Sequence, residues 1–526
     1  MDKPSTLTQV QPGPTAVPAQ SPRSHPAAPL ADAEAPAVLG RVVELCRELS
    51  DRNVSYCHWK SNEALHLSAS GANDLDLLVS RRDSQAFLEV LYRLGFKHAR
   101  LEPAKEFPGV QHYYGLDPET KSFVHVHAHF QLVVGDDMTK NYRLPIEEAY
   151  LASAEQGEVF RVPAPAYELA VLVIRLVLKH SSWDAVLTLQ GRPTVSERRE
   201  VAWLGARTEP DEVWAVVRDT MPFIDRGLWE RLRRCLDPDC PGVARVAAAR
   251  DLRRVLAANA RNPWPVDTPL KVVRRGRLFV RRRVLRRPSR RKRLETGGSI
   301  VAFVGGDGAG KSTAVEATSA WLTQAFDTHQ LHLGKPRRSL VSATLRRGWD
   351  LTGGLRSGSV TGESALEASS AAEERVPARA HIRLVWELLT ARDRYRSYVK
   401  ARRFAARGGI VVCDRFPVPQ IKLMDGAVTA RLLLDSSRSR LVRRLATLEQ
   451  RYYARIRDPD VLIVLRVEPD LAVERKRHEE PESFVRPRSE EVWGIDWRGT
   501  PAVVLDAGRP KDEVLAEIRS LVWERL

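Results

Sequence analysis

Apolar residues recur along this chain with two different periods, and the changes of period divide it. Over residues 37–49 the apolar positions Val38, Val42, Leu45 and Leu49 fall near helical spacing, which predicts an amphipathic helix. Residues 74–79, Asp-Leu-Asp-Leu-Leu-Val, carry a strand pattern, and residues 123–130 alternate more cleanly still. Between these strands, residues 84–94 read as a helix that Gly95 stops. The strand period is lost from 185 to 262, where Trp203, Trp214 and Trp229 sit among helical spacings and predict an all-helical bridge. Beyond residue 298 the pattern changes again. Residues 300–304, 409–413 and 461–465 are short apolar runs of the kind buried on both faces of a sheet, and residues 313–324 between the first two are helix-compatible. This order predicts an α/β unit, a parallel sheet flanked by helices, preceded by an α+β unit.

Length and charge refine the division. At 526 residues the chain holds two or three domains with cores of ordinary size. The longest strongly apolar run, near 169–178, is interrupted by Arg175 and is too short to span a bilayer. Residues 1–36 contain eight prolines with Ala, Ser and Gln and no apolar stretch of signal-peptide type, so they read as a disordered tail. The five cysteines are scattered and odd in number, which fits a reduced cytoplasm. Of the Lys and Arg residues behind the net charge of +17, thirteen fall within 271–293. There Val272, Val273, Phe279, Val280 and Val284 lie within roughly 140° of a helical wheel, which predicts a basic amphipathic helix that Pro288 stops. Its apolar face either packs on protein, the arginines being solvated, or meets an anionic membrane at the inner face. Nucleic acid is the weaker partner, because no recognition motif accompanies the charge. The expected segments are a tail (1–36), an α+β domain (37–185), a helical bridge (186–265), a basic linker helix (266–297) and the α/β domain (298–526).

The densest chemistry follows the run 300–304. Gly305-x-x-x-x-Gly310-Lys311-Ser312 has the spacing of a phosphate-binding loop between a strand and a helix. Glycines let consecutive N–H groups converge on a phosphate where side chains would block them. Lys311 reaches the β/γ-phosphates, the Ser312 hydroxyl suits Mg²⁺, and the helix that follows turns its positive end to the anion. Gly305, Asp307, Gly308, Ala309, Gly310, Lys311, Ser312 and Thr313 are therefore the candidate binding set for ATP, with Mg²⁺ as its companion ion. The wording of 306–313, Gly-Asp-Gly-Ala-Gly-Lys-Ser-Thr, resembles the thymidylate kinase family, and the resemblance covers about 298–526. Asp414-Arg415-Phe416 at the end of 409–413 is similar to the family's Asp-Arg-Tyr/Phe signature, and Ala391-Arg-Asp393-Arg394, read as opening a helix, to its Ala-Asp-Arg segment. The resemblance implies a P-loop kinase in which Lys311, Asp414 and Arg415 are catalytic, Asp414 and Ser312 hold the metal, and Arg394 and Arg415 bind the acceptor. Arg486 and Arg488 are lid candidates, placed to neutralise charge on the transferring phosphoryl group. Where the family carries Arg-Glu-Pro, this chain has Lys335-Pro336-Arg337, and Met424-Asp425-Gly426 replaces its Ser-x-x-Tyr-Gln segment. Those departures imply an acceptor other than thymidine monophosphate. The family is usually dimeric, which makes a homodimer an expectation.

In the first unit, Asp74 and Asp76 stand two apart and share a strand face, an arrangement that suits Mg²⁺ gripping a nucleoside triphosphate. The order of elements from about 40 to 185 resembles the nucleotidyltransferase fold, with Lys60-Ser61-Asn62 at the turn that usually reads Gly-Ser. The strand expected to bring a third carboxylate offers His125, His127 and His129 instead. These either meet solvent and satisfied partners or put His127 or His129 near a metal. Three functions stay open: a kinase acting through its second half, a nucleotidyltransferase with a nucleotide-gated second half, and a non-enzymatic, membrane-associated ATP-binding adaptor. Two-unit chains of this kind resemble proteins linked to surface-polysaccharide assembly.

Overall fold

The computed structural model describes residues 37–181, 192–286, 291–334, 378–423, 426–427 and 439–526. The tail 1–36, the segment 335–338, nearly all of the Ser- and Gly-rich stretch 352–378 and the pair Met424-Asp425 lie outside the described residues. The architecture is mixed α/β with two main sheets. The chain order of strands is β1 (Tyr56–His58), β2 (Leu75–Val79), β3 (Lys97–Arg100), β4 (Val110–Leu116) and β5 (Phe123–His129), then the short pairs β6 (Leu132–Val134) with β7 (Tyr142–Leu144) and β8 (Glu155–Gln156) with β9 (Arg161–Val162). After the helices come β10 (Arg293–Leu294), β11 (Ile300–Gly305), β12 (Thr328–His332), β13 (Ile410–Asp414), β14 (Val461–Arg466) and β15 (Ala502–Asp506).

The first sheet runs β1-β2-β5-β4-β3-β10. Only β2 and β5 pair in parallel, with Asp76 opposite His127. Helices Gly40–Asp51 and Ser84–Arg93 cover one face, where Val42, Leu45, Phe87 and Val90 pack on Leu75, Leu77, Val124 and Val126. Gly95 ends the second helix with φ of 74°, a left-handed conformation that costs glycine little. The helices Val195–Gly205, Pro210–Thr220, Arg226–Arg234 and Gly242–Val255 occupy the stretch that the tryptophan spacing marked. They are no free-standing bridge: Val213, Trp229 and Leu252 share one hydrophobic core with Cys57, Trp59 and Leu78 of the first sheet's edge and with helix Pro165–His180.

The second sheet is parallel in every pairing, in the order β12-β13-β11-β14-β15. Its central strand is buried along its whole length. Val301 and Phe303 face the helices Lys311–Ala325 and Lys511–Arg525, while Ile300, Ala302 and Val304 face the helix Ala378–Ala405. That two-sided burial is why the strands read as unbroken apolar runs. Arg394 lies in the middle of the helix Ala378–Ala405; the expectation that residues 391–394 open a helix is corrected, since the pattern continues upstream into residues that carry no apolar stripe.

The two sheets meet through one core. Tyr114 and Leu116 of β4 join Phe303, Trp321, Phe326 and Trp523, and the Phe123 ring stacks on Trp321 at 4.8 Å between centroids. Strand β10 belongs to the first sheet, pairing Leu294 with Ala99, yet the Leu294 N–H donates to the Gly408 carbonyl at 2.9 Å. Lys292, just before it, donates to the Tyr114 hydroxyl at 2.8 Å and to His125 Nε2 at 3.0 Å.

The basic joint does not pack on protein through its apolar face, as one of the two expectations had it. Helix Trp264–Phe279 runs on into a wider turn over Val280–Val284. Four of its cations point inward: Lys271 and Arg275 reach Asp136 at 3.2 and 2.7 Å, Arg274 donates to the Met138 carbonyl, and Arg281 pairs with Glu102 at 2.9 Å. The apolar face points outward, with Val272, Val273, Val280 and Val284 exposed, Phe279 at 62% and Trp264 at 70%. We predict that Phe123→Ala lowers stability by about 2–3 kcal/mol, because it removes the central ring of the aromatic cluster joining the sheets. A urea midpoint equal to that of the parent protein would show that the cluster does not couple them.

Candidate functional site

The loop after β11 lies at the centre of the parallel sheet, where the strand order reverses, the crevice at which open α/β sheets bind ligands. Register puts Asp414 beside it, since Phe303 pairs with Asp414 and Gly305 with Leu465. Gly308 adopts φ of 81°, and a Cβ there would stand 2.6 Å from the Ala472 carbonyl oxygen, so the helix Pro469–Lys476 presses directly on the loop. A Cβ on Gly306 would meet Ser489 of the helix Glu482–Gly494 at 2.8 Å. Ser312 and Thr313 are exposed at the start of the helix Lys311–Ala325.

Charge is concentrated around one buried acid. Asp307 is 4% exposed; its carboxylate accepts from Arg488 Nη1 at 2.8 Å and stands 3.5 Å from Arg415 and 3.7 Å from Lys311. Burial works to raise the Asp307 carboxyl, but the Arg488 hydrogen bond and the charges of Lys311 and Arg415 outweigh it and hold it below the usual carboxylate range. Lys311 Nζ also donates to the carbonyls of Gly305 and Gly306 at 2.9 and 2.7 Å. Arg415 takes a left-handed φ of 54°, a strained conformation for a long side chain. Asp414 Oδ2 stands 3.7 Å from His332 Nε2, while its buried Oδ1 has no hydrogen-bond partner among the described residues. On the loop's outer side, a groove of about 240 Å³ runs between Gly308–Gly310, Val514 and Leu515, with Arg475, Arg509 and Lys511 at its rim.

Of the expected site residues, the structure gathers Gly305 to Thr313, Lys311, Arg415 and Arg488 at one place, with Asp414 in register beside them. Arg394 is buried nearby, donating to the Leu333 carbonyl at 2.7 Å and to the Tyr453 hydroxyl, and Leu333 N–H in turn donates to the Asp414 carbonyl. Arg486 is turned elsewhere, paired with Asp470 and Glu482 on the exposed side of its helix. The sequence pattern did not single out His332, Tyr453 or the Asp307–Arg488 pair as neighbours. The loop motif pointed to Asp307, but its Arg partner comes from a helix 181 positions away.

The first unit holds a second charged cluster. Asp74 and Asp76 share a face as their spacing implies, but they serve different partners. Asp74, with a half-exposed side chain, accepts from His125 Nδ1 at 2.5 Å, and His125 leads to Lys292 and Tyr114. Asp76 Oδ1 accepts from His127 Nδ1 at 2.9 Å and from Lys60 Nζ at 2.8 Å, with His129 Nε2 at 3.6 Å. Burial works to raise Asp76, yet Lys60, His127 and His129 hold it well below the usual range. The rings of His125 and His127 flank His112, with His127 at 4.4 Å. Beneath the cluster, the turn 60–62 is pinned by buried acids: Ser61 N–H donates to Glu200 and the Asn62 side chain to Glu168 at 2.8 Å, and burial pushes Glu168 up to about 7. Lys60 and Lys292 are charged partners that spacing did not single out: Lys60 comes from the turn 60–62, and Lys292 reaches His125, the partner of Asp74, from a distant segment.

No protein-family model matches the chain, and no curated protein matches it. The functional reading therefore rests on these residues.

Proposed function

We propose that the chain is an ATP- and Mg²⁺-dependent phosphotransferase of the thymidylate-kinase-like, P-loop kind, acting through residues 298–526. The observation that carries it is Asp414: a buried carboxylate oxygen without a hydrogen-bond partner among the described residues, at the end of the strand beside a loop of phosphate-binding sequence. A buried unpaired oxygen is costly, and a cation supplied with the ligand would relieve that cost. In this reading the backbone of 305–313 holds the donor phosphates, Ser312 and Asp414 hold Mg²⁺, and the groove beside Val514 and Leu515 takes the base. Bound Mg²⁺ supplies neutralisation of the phosphate charge. Lys311 leaves the Gly305 and Gly306 carbonyls for the phosphates, Arg415 and Arg394 attend the acceptor, and Arg488 stands ready above Asp307. The first half, nucleotidyltransferase-like, selects or handles a related substrate.

Lys311→Ala is expected to lower phosphoryl transfer by about 10²-fold or more without loss of the fold, and Asp414→Asn to move the Mg²⁺ titration to higher concentration. Turnover of ATP by the Lys311 variant at the parent rate would remove this reading, and an unchanged Mg²⁺ titration would take Asp414 out of the metal's reach. Among nucleoside monophosphates, sugars and polyols screened by ADP release, thymidine monophosphate should be a poor acceptor. Its efficient phosphorylation at micromolar concentration would overturn that part.

The partner side of the proposal concerns the joint. No helix among the described residues is long and apolar enough to cross a membrane. The helix Trp264–Phe279 and the turn that continues it instead spend Lys271, Arg275 and Arg281 on Asp136 and Glu102 and leave valines, Phe279 and Trp264 outward, with Arg277, Arg283 and the following Arg286 exposed among them. Apolar residues mixed with exposed cations complement an anionic bilayer surface, where each Arg contributes about 1 kcal/mol. The chain is then a cytoplasmic protein held peripherally at the inner face. Co-sedimentation with phosphatidylserine-containing vesicles should fall on going to neutral vesicles, in high salt, and in the Phe279→Asp, Val280→Asp variant. Absence of binding to anionic vesicles at low salt, or equal binding by the variant, would contradict it.

A further inference from the structure

The nucleotidyltransferase resemblance leads one to expect Mg²⁺ between Asp74 and Asp76, and the donor set does not fit it. Mg²⁺ takes oxygen ligands in near-octahedral geometry, usually carboxylates, waters and phosphates. Here Asp74 is drawn aside to His125, and the side chains that converge on Asp76 are two imidazoles and the Lys60 ammonium. We infer that Asp76, His127 and His129 form a site for one divalent transition ion of the zinc or cobalt class, in place of the expected Mg²⁺.

Three observations carry this. One ligand atom from each of the three residues can be chosen so that all lie within 4.8 Å of one another, close enough for small side-chain shifts to bring them onto one ion. His129 is 1% exposed, and neither ring nitrogen has a hydrogen-bond partner among the described residues. A buried imidazole with no hydrogen bond, its Nε2 only within 3.6 Å of Asp76 Oδ1, is poorly stabilised by its own surroundings, and an ion bound through one nitrogen removes that cost. Third, two imidazoles with one carboxylate is a donor set that suits borderline metals and leaves positions open for further ligands.

Lys60 decides the condition for loading. Its Nζ stands 2.8 Å from Asp76 Oδ1, so it holds the carboxylate that an ion would use. Its side chain is on a flexible stem and partly exposed, so it can swing out as the metal enters. Lys60 and the ion therefore compete for one charge. The site does not depend on the glycine-rich loop, and its chemistry stands apart from the kinase reading.

The test is titration of the untagged, metal-free full chain with Co²⁺ in the absence of nucleotide, read by visible absorption, with Zn²⁺ competition and calorimetry for stoichiometry. One equivalent with a ligand-field band of a low-coordinate ion is expected, displaced by Zn²⁺ and not by millimolar Mg²⁺. His129→Ala and, as a second variant, Asp76→Asn should weaken Co²⁺ binding at least about tenfold, while Lys60→Met should tighten it. Circular dichroism of each metal-free variant identifies any that fails to fold, and the other then carries the comparison. No stoichiometric Co²⁺ binding would overturn the inference. So would Co²⁺ binding unchanged in the folded variants, which puts the ion elsewhere, or displacement by Mg²⁺ at equal concentration.

Discussion

Strand β11 has no solvent-facing side, and the placement of the second half's chemistry depends on that burial. Its alternating side chains anchor helices on both faces of the parallel sheet, and pairing with β13 and β14 fixes where its end falls. Because Phe303 is held opposite Asp414, the glycine-rich loop opens beside a carboxylate that comes from over a hundred residues later in the chain. A slip of one residue between β11 and β13 would turn Asp414 to the other face and separate the acid from the loop. The same β11 residues that hold the sheet also reach the aromatic layer against the first sheet, so the loop's support and the contact between the halves share one core.

Both charged clusters are closed on themselves. Asp307 gathers Arg488, Arg415 and Lys311, and Asp76 gathers Lys60, His127 and His129. Burying a lone carboxylate would be severe, and the cations keep each acid ionised at neutral pH. The consequence is that a ligand does not enter an empty site. It exchanges partners with an existing pair, so binding is set by the difference between two sets of contacts. In the proposed function, an anionic ligand at the loop would draw cations away from Asp307. A metal ion at Asp76 would drive a cation out.

The parallel sheet was legible because a strand buried on both sides has to be apolar throughout, as residues 300–304 and 461–465 are. The shared face of Asp74 and Asp76 was legible for the same geometric reason, since side chains two apart on a strand point together. Their separation into two networks was not, because His125 lies 51 positions from Asp74 and Lys292 still farther. Likewise the wheel of 271–284 displayed its two faces, but which one meets the protein depends on Asp136 and Glu102, acids that no local pattern links to it. The interior position of Arg394 was missed because its helix, Ala378–Ala405, lacks a clean apolar stripe. Apart from that helix, what the chain concealed was long-range pairing of charge.

The most direct test of the central claim is a structure of the full chain with Mg²⁺ and a non-hydrolysable ATP analogue. The account predicts the analogue's phosphates against the backbone of 305–313, Lys311 Nζ moved from the Gly305 and Gly306 carbonyls to a phosphate oxygen, and the ion on the side of Ser312 and Asp414. An analogue that stays unbound at saturating concentration, or one bound away from the loop with Lys311 still on the two carbonyls, would contradict it.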